Sequence, residues 1–201
     1  MRFAFEEEQH LMRDTVRDML KGECTPDKVQ GAWANADGRV PGLWQKFSER
    51  GILGMLISEE HGGLGMNELD LVLVLEELGR AASPEPFVDT AVVGGPLLED
   101  CADEDTKTRL LSGIISGEST LSTRLGSNLY AAGANACSLI MAEKAGQLDL
   151  VQPEHVQCTE QTSVDKSRKI QSISYTESQR VTPSEGAMNK AWNRGVLAAS
   201  A

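Results

Sequence analysis

Aromatic side chains are scarce in this 201-residue chain, at 4% of the total. Its core must therefore be mainly aliphatic, and an apolar share of 40% is enough for one. Basic residues are also in deficit: 19 Lys and Arg face 30 Asp and Glu, a formal net charge of −11. That balance argues against a nucleic-acid backbone or an anionic lipid surface as partner. The four cysteines, Cys24, Cys101, Cys137 and Cys158, form no C-x-x-C pair and no Cys/His cluster. A zinc site and a disulfide scaffold are thus not expected, and reduced thiols fit a cytoplasmic protein. No apolar run reaches the length of a membrane span, and the opening Met1–Glu8 turns acidic too soon for a signal peptide.

What the chain does carry is concentrated between Gly51 and Arg80, GILGMLISEEHGGLGMNELDLVLVLEELGR. A glycine-rich turn, His61-Gly62-Gly63-Leu64-Gly65, runs into a Leu/Val segment that is apolar almost all round. The glycines suggest a tight turn or a close approach of backbone, with Gly63 expected at positive φ. The run Leu69–Leu78 suggests a helix buried on most sides. Asn67 can cap that helix, Glu68 and Asp70 suit its N-terminal dipole, and Gly79 is placed for a left-handed C-terminal residue.

Helical periodicity dominates the chain up to Gly117. Leu11, Met12, Thr15, Val16, Met19 and Leu20 share one face of a first helix, ended by Gly22 and Pro26. A second helix is expected over Pro41–Arg50, with Leu43, Trp44 and Phe47 inward and Gly51 as its stop. Pro84 and Pro86 precede a helical piece around Asp89–Glu99. Asp103–Ile115 reads as an amphipathic helix with Leu110, Leu111, Ile114 and Ile115 as its stripe. Beyond Gly117 the pattern turns β-like. Ser138–Ala142 and Gln147–Val151 flank a hairpin turn at Glu143–Gly146, and Val156–Thr159 and Ile170–Tyr175 are further strands. Which face of Ile170–Tyr175 points inward is left open by its alternation. Pro183 closes the β part, and Glu185–Ala201 is helical again. The fold class is α+β: an N-terminal helical bundle domain (1–117), a small β-rich domain (118–184), and the start of a C-terminal helical bundle (185–201). The final amphipathic helix needs a partner surface, from another chain or from continuing polypeptide.

This order of parts resembles the acyl-CoA dehydrogenase family, and several local stretches are similar. Phe5-Glu6-Glu7-Glu8-Gln9 resembles the family's opening, and WQKFSERGILG (Trp44–Gly54) its second helix and exit. Ser58–Gly65 resembles a P-E-x-x-G-G-x-G loop with Ser58 in place of proline. LVLEELGR (Leu73–Arg80) resembles the helix that follows, and Ala191–Gly195 the start of the C-terminal bundle. The match covers about the first half of a typical member.

The resemblance implies FAD as cofactor, an acyl-CoA thioester as substrate, α,β-dehydrogenation as reaction and an electron-transfer flavoprotein as acceptor. It also implies a homo-oligomer, or a hetero-oligomer with a dehydrogenase paralogue. In the family a T-E-P-x-A-G-S-D-like segment lies along the flavin, and the counterpart here is Leu121–Asn128. Leu121, Thr123, Gly126 and Ser127 are the cofactor-binding candidates. Arg124 stands where the family has an acid, and the proline is missing. The family's catalytic glutamate lies beyond Ala201, so no residue here inherits that role. Glu59, Glu60, Glu76 and Glu77 read as solvated or capping acids, and His61 as part of the loop's geometry. Asp165 and Arg168 are placed for a local ion pair in a turn, and Trp192 and Arg194 for packing of the last helix. Two functions follow: a flavin-dependent dehydrogenase whose base comes from absent sequence or a partner, or a non-catalytic structural subunit of a heteromeric dehydrogenase. An acyl-CoA or lipid-binding module without redox chemistry is a third.

Overall fold

The computed structural model describes residues 4–201; Met1–Phe3, part of the acidic opening, lie outside them. Among the described residues there are seven α-helices: α1 (Glu7–Glu23), α2 (Pro26–Ala32), α3 (Leu43–Glu49), α4 (Glu68–Arg80), α5 (Gly95–Cys101), α6 (Glu104–Ser116) and α7 (Ala187–Ser200). The strands are β1 (Leu121–Arg124), β2 (Ala131–Ala132), β3 (Leu139–Lys144), β4 (Gln147–Val151), β5 (Val156–Glu160), β6 (Ile170–Tyr175) and β7 (Gln179–Val181). A π-helical segment, Val88–Gly94, runs directly into α5. The α+β class and most element positions follow the sequence pattern.

Capping explains several boundaries. Asn67 accepts from the Leu69 N–H at 2.9 Å, and Asp70 accepts from the Asn67 N–H, a reciprocal cap for α4. Asp103 accepts from the Thr106 N–H at 2.9 Å, and Gly117, at φ +77°, ends α6. Three expectations need correction. Pro26 opens a helix rather than only ending one, because Thr25 caps α2 and proline suits its first turn. Pro41 lies outside α3, which begins after the left-handed Gly42. Gly79 stays inside α4, and the left-handed residue is Ala82, at φ +49°.

The first helix packs along α4, and buried Val16, Met19 and Leu20 mark its inner face. An ion pair joins the two helices: Arg17 Nη2 lies 2.6 Å from Glu77 Oε1, and Arg80 Nε lies 3.3 Å from Glu77 Oε2. Glu77 is thus not a solvated acid; it is 2% exposed and neutralised by two arginines. Its carboxyl is held below the usual range, chiefly by the Arg17 hydrogen bond.

Two sheets follow. The larger has strand order β1-β3-β4-β7, with β1 and β3 parallel and the other pairs antiparallel. The smaller, β2-β6-β5, is antiparallel. Strands β3 and β4 are sandwiched, so their side chains divide between two clusters. Leu139, Met141, Leu148 and Leu150 join the core shared with the helices. Ile140, Ala142 and Val151 face the smaller sheet. This two-sided burial makes both strands read as nearly continuous apolar runs. On β6 the inward face is Gln171, Ile173 and Tyr175. Gln171 is tolerated there because its Oε1 accepts from the Ala134 N–H at 3.0 Å and its Nε2 donates to Asn135.

The β3–β4 turn uses Ala145 and Gly146, both at positive φ (+52° and +75°). Such a two-residue turn favours Asn or Gly at its first position. Ala145→Asn should stabilise the fold by roughly 0.5–1 kcal/mol by relieving a left-handed alanine. Urea denaturation checks this, and a lower midpoint for the variant would reject it.

Candidate functional site

The Gly-rich loop is tied to α5, and the π-helical segment, which leads into α5, is tied to β1. In the loop, Glu99 of α5 is the anchor. Its Oε1 accepts from the Ser58 N–H at 3.1 Å, the Ser58 hydroxyl at 2.5 Å and His61 Nδ1 at 2.7 Å. Ser58 Oγ approaches the same ring nitrogen at 3.1 Å. A hydroxyl and a carboxylate on one imidazole nitrogen cannot form a nucleophile–base–acid relay, which needs opposite nitrogens. His61 therefore holds the loop. Gly62 and Gly65 supply the positive φ values. Gly63 does not; it is required because a Cβ there would lie 2.1 Å from the Ile57 carbonyl oxygen.

The π-helical segment is bonded to β1 at two consecutive residues. Thr90 Oγ1 donates to the Leu121 carbonyl (3.2 Å) and accepts from the Leu121 N–H (3.0 Å). Asp89 Oδ1 accepts from the Thr123 N–H at 3.2 Å and from the Thr123 hydroxyl. Gly94 lets the two elements meet: a Cβ there would lie 2.6 Å from Leu121 Cδ1 and from the Asp89 carbonyl. Asp89 as a residue keeps some surface, but its carboxylate is desolvated, and burial pushes its pKa up against the Thr123 hydrogen bonds.

At the N-terminal end of β1 a cleft of about 410 Å³ opens between α4, the π-helical segment, β2 and the end of α7. Leu75, Leu78, Val88 and Ala198 give it apolar walls, and Asp89 and Arg168 are among its polar groups. Concave sites with apolar walls and convergent polar side chains are where small molecules usually bind. Ser83 Oγ also lies at its wall, buried without a hydrogen-bond partner among the described residues. The loop carrying Arg168 is held against the α2–α3 connection. Lys169 Nζ donates to the Trp33 carbonyl at 3.2 Å, and Gly38 passes so close that a Cβ would lie 2.0 Å from the Ser167 carbonyl oxygen. Asp165 bonds Ser167 through its N–H (2.9 Å) and hydroxyl (2.5 Å). The expected Asp165–Arg168 ion pair is not formed.

The cofactor-binding candidates are spread along β1 and the turn after it. Leu121 is 1% exposed and packs into the shared core. Thr123 is engaged by Asp89. Gly126, at φ +61°, donates its N–H to Glu143 Oε2 at 2.7 Å and lies against Trp192. Ser127 is exposed. Arg124, in the place of the family's acid, stacks 5.9 Å over Tyr175 and donates to the Ile173 carbonyl. A flavin edge needs free donors and an open face. Only Ser127 offers both, so the segment as it stands in this chain does not fit the ring. Sequence reasoning missed Asp89 and Thr90; a Thr beside an acid after a Pro-x-Pro break was the available signal. Among the described residues there is no cluster able to hold a metal ion, and no helix is long and apolar enough to cross a membrane.

The comparisons agree on one family. The model described as acyl-CoA dehydrogenase, N-terminal domain, matches residues 6–118. Acyl-CoA dehydrogenase IpdE2 of Mycobacterium tuberculosis is 27% identical over 187 residues, 92% of this chain and 57% of the relative. The ChsE4-ChsE5 complex from M. tuberculosis has a chain similar in fold, with TM-score 0.75 and 18% identity, over 98% of this chain and 62% of that one. Glutaryl-CoA dehydrogenase from M. smegmatis in complex with FADH2 gives TM-score 0.73 at 16% identity, over 97% and 62%. At these identities the two structures speak for the fold alone. The chain spans little more than half the length of the curated relative.

Two predictions follow from this geometry. Gly63→Val should cost more than ~1 kcal/mol, since the Ile57 backbone must move; an unchanged melting temperature would remove the close-approach argument. The second concerns Asp89. Burial raises its folded pKa, so its contribution is fully present below the unfolded carboxylate value and is lost as pH rises through the folded one. Asp89→Asn keeps an acceptor for Thr123 and removes that loss. The variant's stability relative to wild type should therefore rise as pH climbs above the ordinary carboxylate range. A difference that stays flat above that range would contradict desolvation of Asp89.

Proposed function

Because the chain belongs to the acyl-CoA dehydrogenase family, we propose that it forms one wall of a site in which an acyl-CoA thioester is oxidised between its α and β carbons. In this family FAD supplies the hydride acceptor, and a carboxylate base takes the α-proton. The observation that carries the reading is the joint between the π-helical segment and β1. It fixes a strand with the cleft at one end and the Leu125–Asn128 turn at the other. Four residues of strand separate them by roughly 13 Å. In this reading Leu75, Leu78, Val88 and Ala198 exclude water and receive the acyl chain, and Arg168 meets polar groups of the thioester. We keep the partition at 1–117, 118–184 and 185–201, and the cytoplasmic location, as parts of the same proposal.

The base is assigned to polypeptide outside residues 4–201 or to a partner subunit. Glu59, Glu60 and Glu76 are exposed. Glu77, Glu85 and Glu99 are already paired with Arg17, Arg39 and His61. Asp89 is held by Thr123. An electron-transfer flavoprotein is the expected electron acceptor.

One observation favours the second reading, a structural subunit completing a heteromeric dehydrogenase. The donors of Thr123 and Gly126 are bonded internally. The outer face of α7 supports a partner, since Val196 and Leu197 are 51% and 65% exposed. Expression of the chain alone, and together with a dehydrogenase paralogue, separates the readings by flavin absorbance. We expect a yellow assembly only on co-expression. Flavin retained by the wild-type chain alone would rule out the structural-subunit reading, and colourless protein in both cases would reject both.

A further inference from the structure

Trp192 lies on Gly126, the glycine of the flavin-like segment. A Cβ built on Gly126 would stand 3.1, 3.3 and 3.5 Å from three carbons of the indole's six-membered ring. The helix that carries Trp192 is fixed in rotation. Ala191 and Ala198 are buried on its inner face, and Gly195 lies against Val93, where a Cβ would meet Val93 Cγ2 at 3.1 Å. On the side toward α4, Arg194 Nε donates to Glu68 Oε1 at 2.6 Å. With α7 held in this way, residue 192 is directed at the turn after β1.

We infer that Trp192 is an internal plug: its indole occupies the face of Gly126 that a flavin ring would otherwise cover, so that the chain by itself keeps the ring out. The inference rests on the family reading. An indole is a planar aromatic surface, and here it lies against Gly126. The left-handed glycine keeps the backbone open to a flat ring, and the chain fills that opening itself. Glu143 completes the closure by accepting the Gly126 N–H. The indole is 42% exposed, so one face only is held and its removal need not disturb the core.

The test is flavin binding by the full chain, read as quenching of flavin fluorescence with FAD and separately with lumiflavin, the ring alone. Wild type, Trp192→Ala and Trp192→Leu are compared, with circular dichroism to establish that each is folded. Removing a plug raises the fraction of binding-competent molecules, so Trp192→Ala should bind both probes at least about tenfold more tightly than wild type. If Trp192→Ala unfolds, Trp192→Leu carries the same comparison with a smaller expected gain. Equal affinity in wild type and a folded variant overturns the plug. So does a folded variant that binds neither probe. Neither result touches the family reading, which stands or falls on flavin in the co-expressed assembly.

Discussion

The meeting of the π-helical segment with β1 is the constraint on which the rest of the structure depends. It needs three things at once. Gly94 must lack a side chain, because Leu121 and the Asp89 carbonyl occupy that space. Thr90 must exchange hydrogen bonds with the Leu121 backbone, and Asp89 must accept from Thr123. A π-helix closes its hydrogen bonds over five residues rather than four, and such turns, rare overall, are frequent at functional sites. Here it brings two polar residues in succession onto one strand. The buried carboxylate is tolerated because Thr123 supplies two donors. Once β1 is fixed, parallel pairing fixes β3, and the four-stranded sheet is set against the helices.

Other ties hold the periphery in the same style, a buried acid meeting a cation far away in sequence. Glu77 receives Arg17, and Glu85 receives Arg39 at 2.9 Å together with the Val40 N–H. Burial pushes the Glu85 carboxyl up, opposed by Arg39, whose guanidinium also sits 5.1 Å over the Trp44 ring. Removing one partner from such a pair costs more than the pair contributes, because it strands a desolvated charge. These pairs therefore act mainly as registers for how the helices and connections dock.

Family membership and the chain's own chemistry come from different places. The motifs that identify the family, Ser58–Gly65 and LVLEELGR, build a loop locked by Glu99 and a helix in the core. Neither presents a reacting group. The candidate site is a cleft lined by six separate segments, with a turn beyond β1 in which the Gly126 N–H is engaged by Glu143. The scaffold thus carries the family's wording, while β1 and the turn after it are held by Asp89 and Glu143, which no motif marks.

Periodicity and capping determined most of the elements from the sequence alone. The 3.6-residue stripe Leu110, Leu111, Ile114 marked α6, the Asn67 cap marked the start of α4, and the Ala145-Gly146 pair lay inside the expected hairpin turn. These are local effects, settled within a few residues. The short strands β1, β2 and β7 were not legible, because two to four residues carry too little alternation and depend on partners elsewhere in the chain. The inward face of β6 and the burial of Glu77 were equally hidden, since each depends on a distant partner, the smaller sheet or Arg17. Gly63 shows the division well: its type announced a backbone requirement, but only the fold decided that the requirement was proximity to Ile57 rather than a left-handed φ. Likewise the sequence marked Leu121, Thr123, Gly126 and Ser127 together as neighbours. Tertiary structure alone sent Leu121 into the core, bound Thr123 to Asp89 and laid Trp192 on Gly126, because contacts across the fold are set by packing and not by spacing along the chain.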